Sequence, residues 1–171
     1  MIRGDEAERD EKFVREYCAQ RNVELICERA DVPSYARKNK LSTELAARQL
    51  RYEFFKRISA GTVATAHTAS DNLETVIFNL ARGTAINGLC GIPPKRDIFI
   101  RPLILCTRQD IEDYCDKNKI PYVTDSTNLS DDYARNKIRH NVIPVLKEIN
   151  PSVERAVSRT CLYLSEDREY I

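Results

Sequence analysis

No run of apolar residues in this 171-residue chain is longer than a few positions, so no segment reads as a membrane-spanning helix. Met1-Ile2-Arg3-Gly4 leads straight into charge, without the apolar stretch of a signal peptide. There is no C-x-x-C pair: Cys18, Cys27, Cys90, Cys106, Cys115 and Cys161 are scattered, which argues against zinc, an iron–sulfur cluster or a disulfide framework. The expected reading is small core thiols kept reduced in a soluble, cytoplasmic protein. An excess of charge of one sign is also missing, since 27 Lys and Arg face 26 Asp and Glu. No internal repeat or low-complexity tract appears. What the chain does have is 42% apolar residues, enough for a core in one domain of ordinary size.

Near-neutrality hides an uneven distribution. Glu and Asp crowd residues 5–16, whereas Arg135, Lys137, Arg139 and His140 cluster at one helix start, with Lys147, Arg155 and Arg159 beyond. Such a basic end can grip phosphates locally, although a solvated helix face is the commoner meaning of the same charges.

The most informative stretch is Ala66-His67-Thr68-Ala69-Ser70-Asp71-Asn72-Leu73-Glu74-Thr75. Residues 62–66 follow Gly61, are β-branched or small, and predict a short buried strand with His67 at its carboxyl end. Leu73, Val76, Ile77 and Leu80 then recur at helical spacing, and Gly83 follows Arg82 as a left-handed cap residue does. Strand-to-helix junctions of this kind are where open α/β sheets bind ligands. Asp71 and Glu74 share one helical face beside His67, a placement that suits a hydrated Mg²⁺ or the orientation of a nucleophile. The competing reading is an ordinary helix start, in which carboxylates satisfy free N–H groups at the positive end of the helix dipole.

Elsewhere helix and strand patterns alternate. A helix is expected over residues 5–21, burying Phe13, Val14, Tyr17 and Cys18, then a strand over 23–27 ended by Asp31-Val32-Pro33. Ser42 caps a second helix with Ala46, Leu50, Phe54 and Ile58 on one side and Arg48, Arg51 and Tyr52 on another. Residues 85–94 read as an irregular loop, 98–103 as a strand limited by Pro102, and Thr107 as the cap of a helix holding Ile111, Tyr114 and Cys115. A short extended piece at 120–123 enters the polar run Asp125-Ser126-Thr127-Asn128. From Tyr133 a helix places Ile138, Val142 and Ile149 on one face, with Pro144 kinking or restarting it. Val153, Ala156, Val157, Thr160 and Leu164 mark a last amphipathic helix that reads as a connector.

Several motifs in order carry a resemblance. They are Arg3-Gly4-Asp5-Glu6-Ala7 with Asp10-Glu11, Ala46-Ala47-Arg48 with Leu50-Arg51-Tyr52, and His67 through Thr75. Leu80-Ala81-Arg82-Gly83, Gly88-Leu89 with Gly91-Ile92, and Arg101-Pro102-Leu103 follow. Asp125-Ser126-Thr127-Asn128, Tyr133, Arg135-Asn136, Ile138-Arg139-His140, Pro144 and Asn150-Pro151 complete the series. Each is weak alone, but together in this order and spacing the chain resembles the tRNA(Ile)-lysidine synthetases of the PP-loop ATP pyrophosphatase family.

The resemblance implies an α/β fold: a Rossmann-like parallel sheet with flanking helices (adenine nucleotide alpha hydrolase-like), truncated at its N-terminus, and a C-terminal helical connector. It divides the chain into a catalytic core at 1–132 and a helical linker at 133–171 toward a further domain. The implied reaction adenylates the C2 oxygen of the wobble cytidine of tRNA(Ile) with ATP, after which the amine of L-lysine displaces AMP. Mg²⁺ would serve with ATP, the tRNA would carry a CAU anticodon, and a homodimer is among the assemblies allowed. By match of position, Asp71, Glu74 and His67 are the implied catalytic residues, with Asp71 serving the metal. Arg48, Arg51, Asn128, Arg135 and Arg139 would contact tRNA or phosphate, and His67, Arg82 and Gly83 the nucleotide.

Three departures qualify the match. Ser70 and Ser130 stand where family members often have aspartates, and Asp131 or Asp132 can replace the second. The third departure concerns the Ser-Gly-Gly-x-Asp-Ser loop with which the family binds pyrophosphate through backbone N–H groups. The five glycines here, at 4, 61, 83, 88 and 91, include no adjacent pair, so the loop has no place in these residues. A truncated gene product, inactive as it stands, is therefore expected. The alternatives are a non-catalytic tRNA-binding remnant and a PP-loop tRNA thiolase, the latter needing reactive cysteines that are usually paired.

Overall fold

Residues 4–123 and 134–168 are described by a computed structural model of the chain. It divides into two units, Met1–Gly61 and Thr62–Ile171.

The first unit is helical. α1 (Gly4–Gln20) half-buries Phe13, Tyr17 and Cys18, while Val14 stays exposed. Phe13 and Tyr17, one turn apart, stack with ring centroids 6.3 Å apart, and Glu11 holds both Arg15 and Arg29. Residues 23–27 form no strand, contrary to the alternating pattern. A strand needs a ladder partner for its N–H and C=O groups, none of the described residues of this unit supplies one, and Val23 and Ile26 lie exposed.

Asp31-Val32-Pro33, read as a break, instead starts α2 (Val32–Asn39). Asp31 accepts the Ser34 N–H at 3.1 Å, and Pro33 sits in the first turn, where its missing N–H costs nothing. α3 (Thr43–Ile58) starts as expected at Ser42, whose hydroxyl accepts the Leu45 N–H. On its apolar side Ala46 is fully buried, Leu50 and Phe54 are half-buried and Ile58 is exposed.

The second unit holds a small mixed sheet of order β1-β3-β2, where a parallel sheet was expected. β1 (Val63–Ala64) runs parallel to β3 (Phe99–Ile100), with Ala64 opposite Ile100 and the Thr65 N–H bonded to the Ile100 carbonyl. β2 (Lys95–Arg96) joins β3 as an antiparallel hairpin whose two-residue turn begins with Asp97 at φ 53°. The loop expected over 85–94 thus contains the short α5 (Ile86–Leu89) and leads into β2. β1 is not the buried strand the pattern suggested, since Val63 is half-buried and Ala64 exposed.

α4 (Ala69–Ala81) carries the core, with Leu73 1% exposed and packed with Ile138 and Ile143. Ile77, Phe78, Val153 and Val157 surround them. Leu80 faces solvent, and Gly83 at φ 75° follows the end of the helix. α6 (Arg108–Lys117) starts at Thr107 as read, and residues 120–123 form no strand.

Beyond residue 133 the helix is interrupted in an informative way. α7 (Ala134–Lys137) passes into a π-turn over Ile138–Val142, and α8 (Ile143–Ile149) restarts with Pro144 in its first turn. The Ile143 N–H bonds five residues back to the Ile138 carbonyl. The wider turn rotates Ile143 onto the face of Ile138, so Ile143 is buried while Val142 and Ile149, expected beside Ile138, are exposed. α9 (Val153–Asp167) lies against α4 and α5 with Glu154, Ser158 and Cys161 buried. Its apolar side is covered rather than open.

One polar joint fixes α4, α9 and the loop between them. Buried Asn72 accepts the Ile92 N–H at 2.7 Å and reaches the Ser158 hydroxyl at 3.4 Å. Gly91, at φ 64°, lets this happen, because a Cβ there would lie 2.2 Å from the Asn72 oxygen.

Candidate functional site

The parallel pair β1–β3 delivers the chain to His67 at its carboxyl end, with the Thr65 hydroxyl 3.0 Å from His67 Nδ1. Thr68 then ends the extended segment and caps α4. Its hydroxyl accepts the Asp71 N–H at 3.3 Å, and Asp71 Oδ2 accepts the Thr68 N–H at 2.7 Å and the Thr68 O–H at 2.8 Å. This is a reciprocal capping box, so the ordinary helix-start reading holds for Asp71, with Thr68 and not Glu74 as its partner. The box occupies only Oδ2. Among the described residues Asp71 Oδ1 accepts no hydrogen bond.

Glu74, one turn on, is buried and held by a fork. Arg139 donates from Nε to Oε1 at 2.6 Å and from Nη2 to Oε2 at 3.0 Å. Two parallel charge-assisted bonds fix both planes, as a guanidinium does and an ammonium cannot. The hydrogen bonds that Arg139 donates to Glu74 and, more weakly, the charges of Glu74 and Asp71 raise its pKa above the ordinary value, so it is a permanent cation. The π-turn brings it to Glu74.

The same face of α4 continues to Phe78 and Arg82. The guanidinium of Arg82 lies 5.1 Å from the Phe78 ring centre and that of Arg135 5.8 Å. Arg135 is one turn before Arg139, so two arginines on the 134–142 segment face two successive turns of α4. The pattern of charge and apolar spacing missed Phe78, which reads as core in sequence. Its position four residues after Glu74 was the available signal.

Not every expected residue joins. Gly83 is exposed, with nothing within 4 Å of an added Cβ, and acts here as the helix-ending residue. Arg48 and Arg51 belong to the first unit, where both are exposed and Arg48 lies 4.9 Å over the Tyr52 ring. Asn128 lies outside the described residues, as do Ser130, Asp131 and Asp132. Ser70, noted as a departure, accepts the Arg108 N–H at 3.0 Å and so ties α4 to the start of α6.

Arg101 gains a role that its motif alone did not reveal. It is 5% exposed, donates from Nη1 to the Pro93 carbonyl at 2.6 Å, and its Nε has no partner among the described residues.

For a metal, the donor chemistry is limited. Among the described residues no three His, Cys, Asp or Glu side chains converge, and Glu74 is engaged at both oxygens. Mg²⁺ needs less than that, since it keeps several waters and takes one or two carboxylates with substrate phosphates. Asp71 Oδ1 fits this modest demand.

Residues 1–146 match the PP-loop domain family. The chain belongs to the PP-loop family. It is also similar to proteins named tRNA(Ile)-lysidine synthase. The identity is 49% over 158 residues with the one from Thermosipho africanus, covering 90% of this chain and 37% of the relative. With that of Bacteroides thetaiotaomicron it is 43% over 169 residues, covering 96% and 40%, and with that of Thermotoga maritima 44% over 159 residues, covering 91% and 38%. The chain therefore spans about two fifths of the length of the relatives it matches. The small mixed sheet and its surrounding helices are this chain's portion of the PP-loop fold.

Proposed function

We propose that these residues form part of a tRNA(Ile)-lysidine synthase, an ATP-dependent ligase that joins L-lysine to C2 of the wobble cytidine of a tRNA(Ile) with a CAU anticodon. The observation that carries the reading is the acidic turn at the end of β1, where Asp71 keeps one open oxygen and Glu74 is locked to Arg139. The similarity to synthases of that name supplies the reaction.

In this reading the cytidine O2 attacks the α-phosphorus of ATP and diphosphate leaves. The lysine amine, having lost its proton, then attacks C2 and AMP leaves. Bound Mg²⁺ would be held through water by Asp71 and would offset phosphate charge. Glu74 acts by holding Arg139 toward the developing negative charge, a preorganised cation that needs no rearrangement during reaction. His67 helps place the nucleotide, as do Arg82 and the Gly83 turn, while Arg48, Arg51, Asn128 and Arg135 contact tRNA. We place the reaction in the cytoplasm, with residues 1–132 as catalytic core and 133–171 as a linker docked on α4 through α9.

Diphosphate needs a cradle of backbone N–H groups, and these residues contain no Ser-Gly-Gly-x-Asp-Ser loop to make one. Turnover therefore requires that loop to be supplied. The test is lysine-dependent AMP release with an unmodified tRNA(Ile) transcript, using the 171-residue chain and the same chain carrying an upstream strand–loop–helix. Release only with the loop present supports the reading. Release at ordinary enzyme rates without it overturns the loop requirement, and tRNA retention without turnover in both points to the binding remnant. The six scattered cysteines, none in a C-x-x-C pair, weigh against the thiolase.

A further inference from the structure

A second place in the Thr62–Ile171 unit is organised for anions. β2, the α5 loop and the end of α9 enclose a hollow of about 250 Å³, with Asn87, Lys95, Arg96, Ser165 and Arg168 among its lining. Three of these are cations, and among the described residues no carboxylate lines the hollow. Some cations elsewhere hold an acid, among them Arg15, Arg29, Arg108, Arg139, Lys147 and Arg155. Among the described residues Lys95, Arg96 and Arg168 are in no ion pair, and Arg168 donates only to the side-chain oxygen Oδ1 of Asn87, at 3.4 Å. In a chain of net charge +1, three cations around one hollow, in no ion pair among the described residues, are a local excess.

The wall behind them is fixed before any ligand arrives. Arg101 bonds the carbonyls of Pro93 and Pro94, from its side chain at 2.6 Å and its backbone N–H at 2.8 Å. Asn72 holds Ile92, and Gly91 packs against Asn72 with no room for a Cβ. The hollow also borders the sheet at β2. Ala64, Ile100 and Lys95 form one row across it, so Lys95 is two strands, about 10 Å, from the strand that leads to His67.

We propose that this hollow takes one phosphodiester of the RNA strand whose base is presented at the acidic turn, an assignment that rests on the tRNA reading above. Its volume falls below the several hundred Å³ of a nucleotide pocket. The N–H groups of Cys90, Gly91 and Ile92 are already bonded within the protein, which leaves exposed cations and no backbone cradle of the kind a free diphosphate needs. Long exposed cations are what neutralise a polyanion backbone.

The test compares the chain with its Lys95→Gln, Arg96→Gln, Arg168→Gln variant, binding the anticodon stem-loop of the tRNA(Ile) transcript by fluorescence anisotropy from about 50 to about 200 mM salt. All three side chains are exposed and in no ion pair among the described residues, so an unchanged melting temperature is expected and serves as the folding control. The expected result is about tenfold weaker binding at low salt, with the slope of log K against log salt reduced by about 0.7 to 0.9, the signature of one lost phosphate contact. Identical affinity and slope overturn the hollow while leaving the proposed function standing. Absence of RNA binding by the unaltered chain overturns both. If inorganic diphosphate raises the melting temperature of the unaltered chain and not of the variant, with RNA binding unchanged, the occupant is a free anion and the proposal fails.

Discussion

Two helices of this protein begin with the same four-residue grammar and end in different chemistry. α4 starts Thr68-Ala69-Ser70-Asp71 and α6 starts Thr107-Arg108-Gln109-Asp110, and both close a reciprocal capping box. In α6 the aspartate is used up: Oδ2 accepts the Thr107 N–H at 2.7 Å and Oδ1 accepts Arg155 at 2.5 Å. In α4 Oδ2 closes the box and Oδ1 accepts no bond from the described residues, while Arg139 is held by Glu74. The carboxylates one turn on differ as well. Glu74 is buried and forked by arginine, whereas Asp113 is exposed and bonded to Gln109. A capping box whose second oxygen is satisfied is a staple, and one whose second oxygen accepts no bond from the described residues is a candidate site.

The largest expected effect that sharpens this contrast is on stability at Glu74. Glu74→Gln leaves the Arg139 charge half-buried without its counter-ion and is expected to cost about 3 kcal/mol in urea unfolding. A cost equal to that of Asp113→Asn, an exposed position, would show that the clamp contributes nothing special.

Next comes Asp110→Ala, which removes a cap acceptor and an exposed ion pair and is expected to cost about 1 kcal/mol in the same assay. AMP release by the loop-bearing chain should be unaffected.

The smallest effect is in acid. The hydrogen bond from Arg155, then those from Thr107, hold the Asp110 pKa at about 2 against an ordinary 3.8. A carboxyl depressed on folding contributes stability above its unfolded pKa and loses it as pH falls through the folded one. Stability should therefore decline between about pH 4 and about pH 2, and Arg155→Gln should flatten that decline. An identical acid profile in the variant would contradict the assignment.

How far the sequence led depends on which force decides each element. Where local chemistry decides, the reading succeeded: Ser42, Thr107 and Gly83 mark helix ends by hydrogen bonds and backbone freedom that need no distant partner. The acidic turn after His67 was legible for the same reason, because a cap is a local event. Residues 23–27 were misread because a strand exists only with a neighbour, and Asp31-Val32-Pro33 because the grammar of a break is also that of a helix start. The face of residues 138–149 was misplaced because a π-turn inserts a residue into the repeat, which no 3.6-residue pattern anticipates. The Glu74–Arg139 fork joins positions 65 apart in sequence, and only packing of the 134–149 segment on α4 could reveal it.

The measurement that tests the central claim most directly is lysine-dependent AMP release by the loop-bearing chain, comparing Asp71→Asn with Asp110→Asn. Both substitutions keep a side-chain oxygen for the capping box, and only the first removes the charge at an open oxygen. The account predicts that Asp71→Asn abolishes AMP release while tRNA retention on a filter persists, and that Asp110→Asn keeps both. Equal loss in the two variants, or loss of tRNA retention together with turnover in Asp71→Asn, would contradict it.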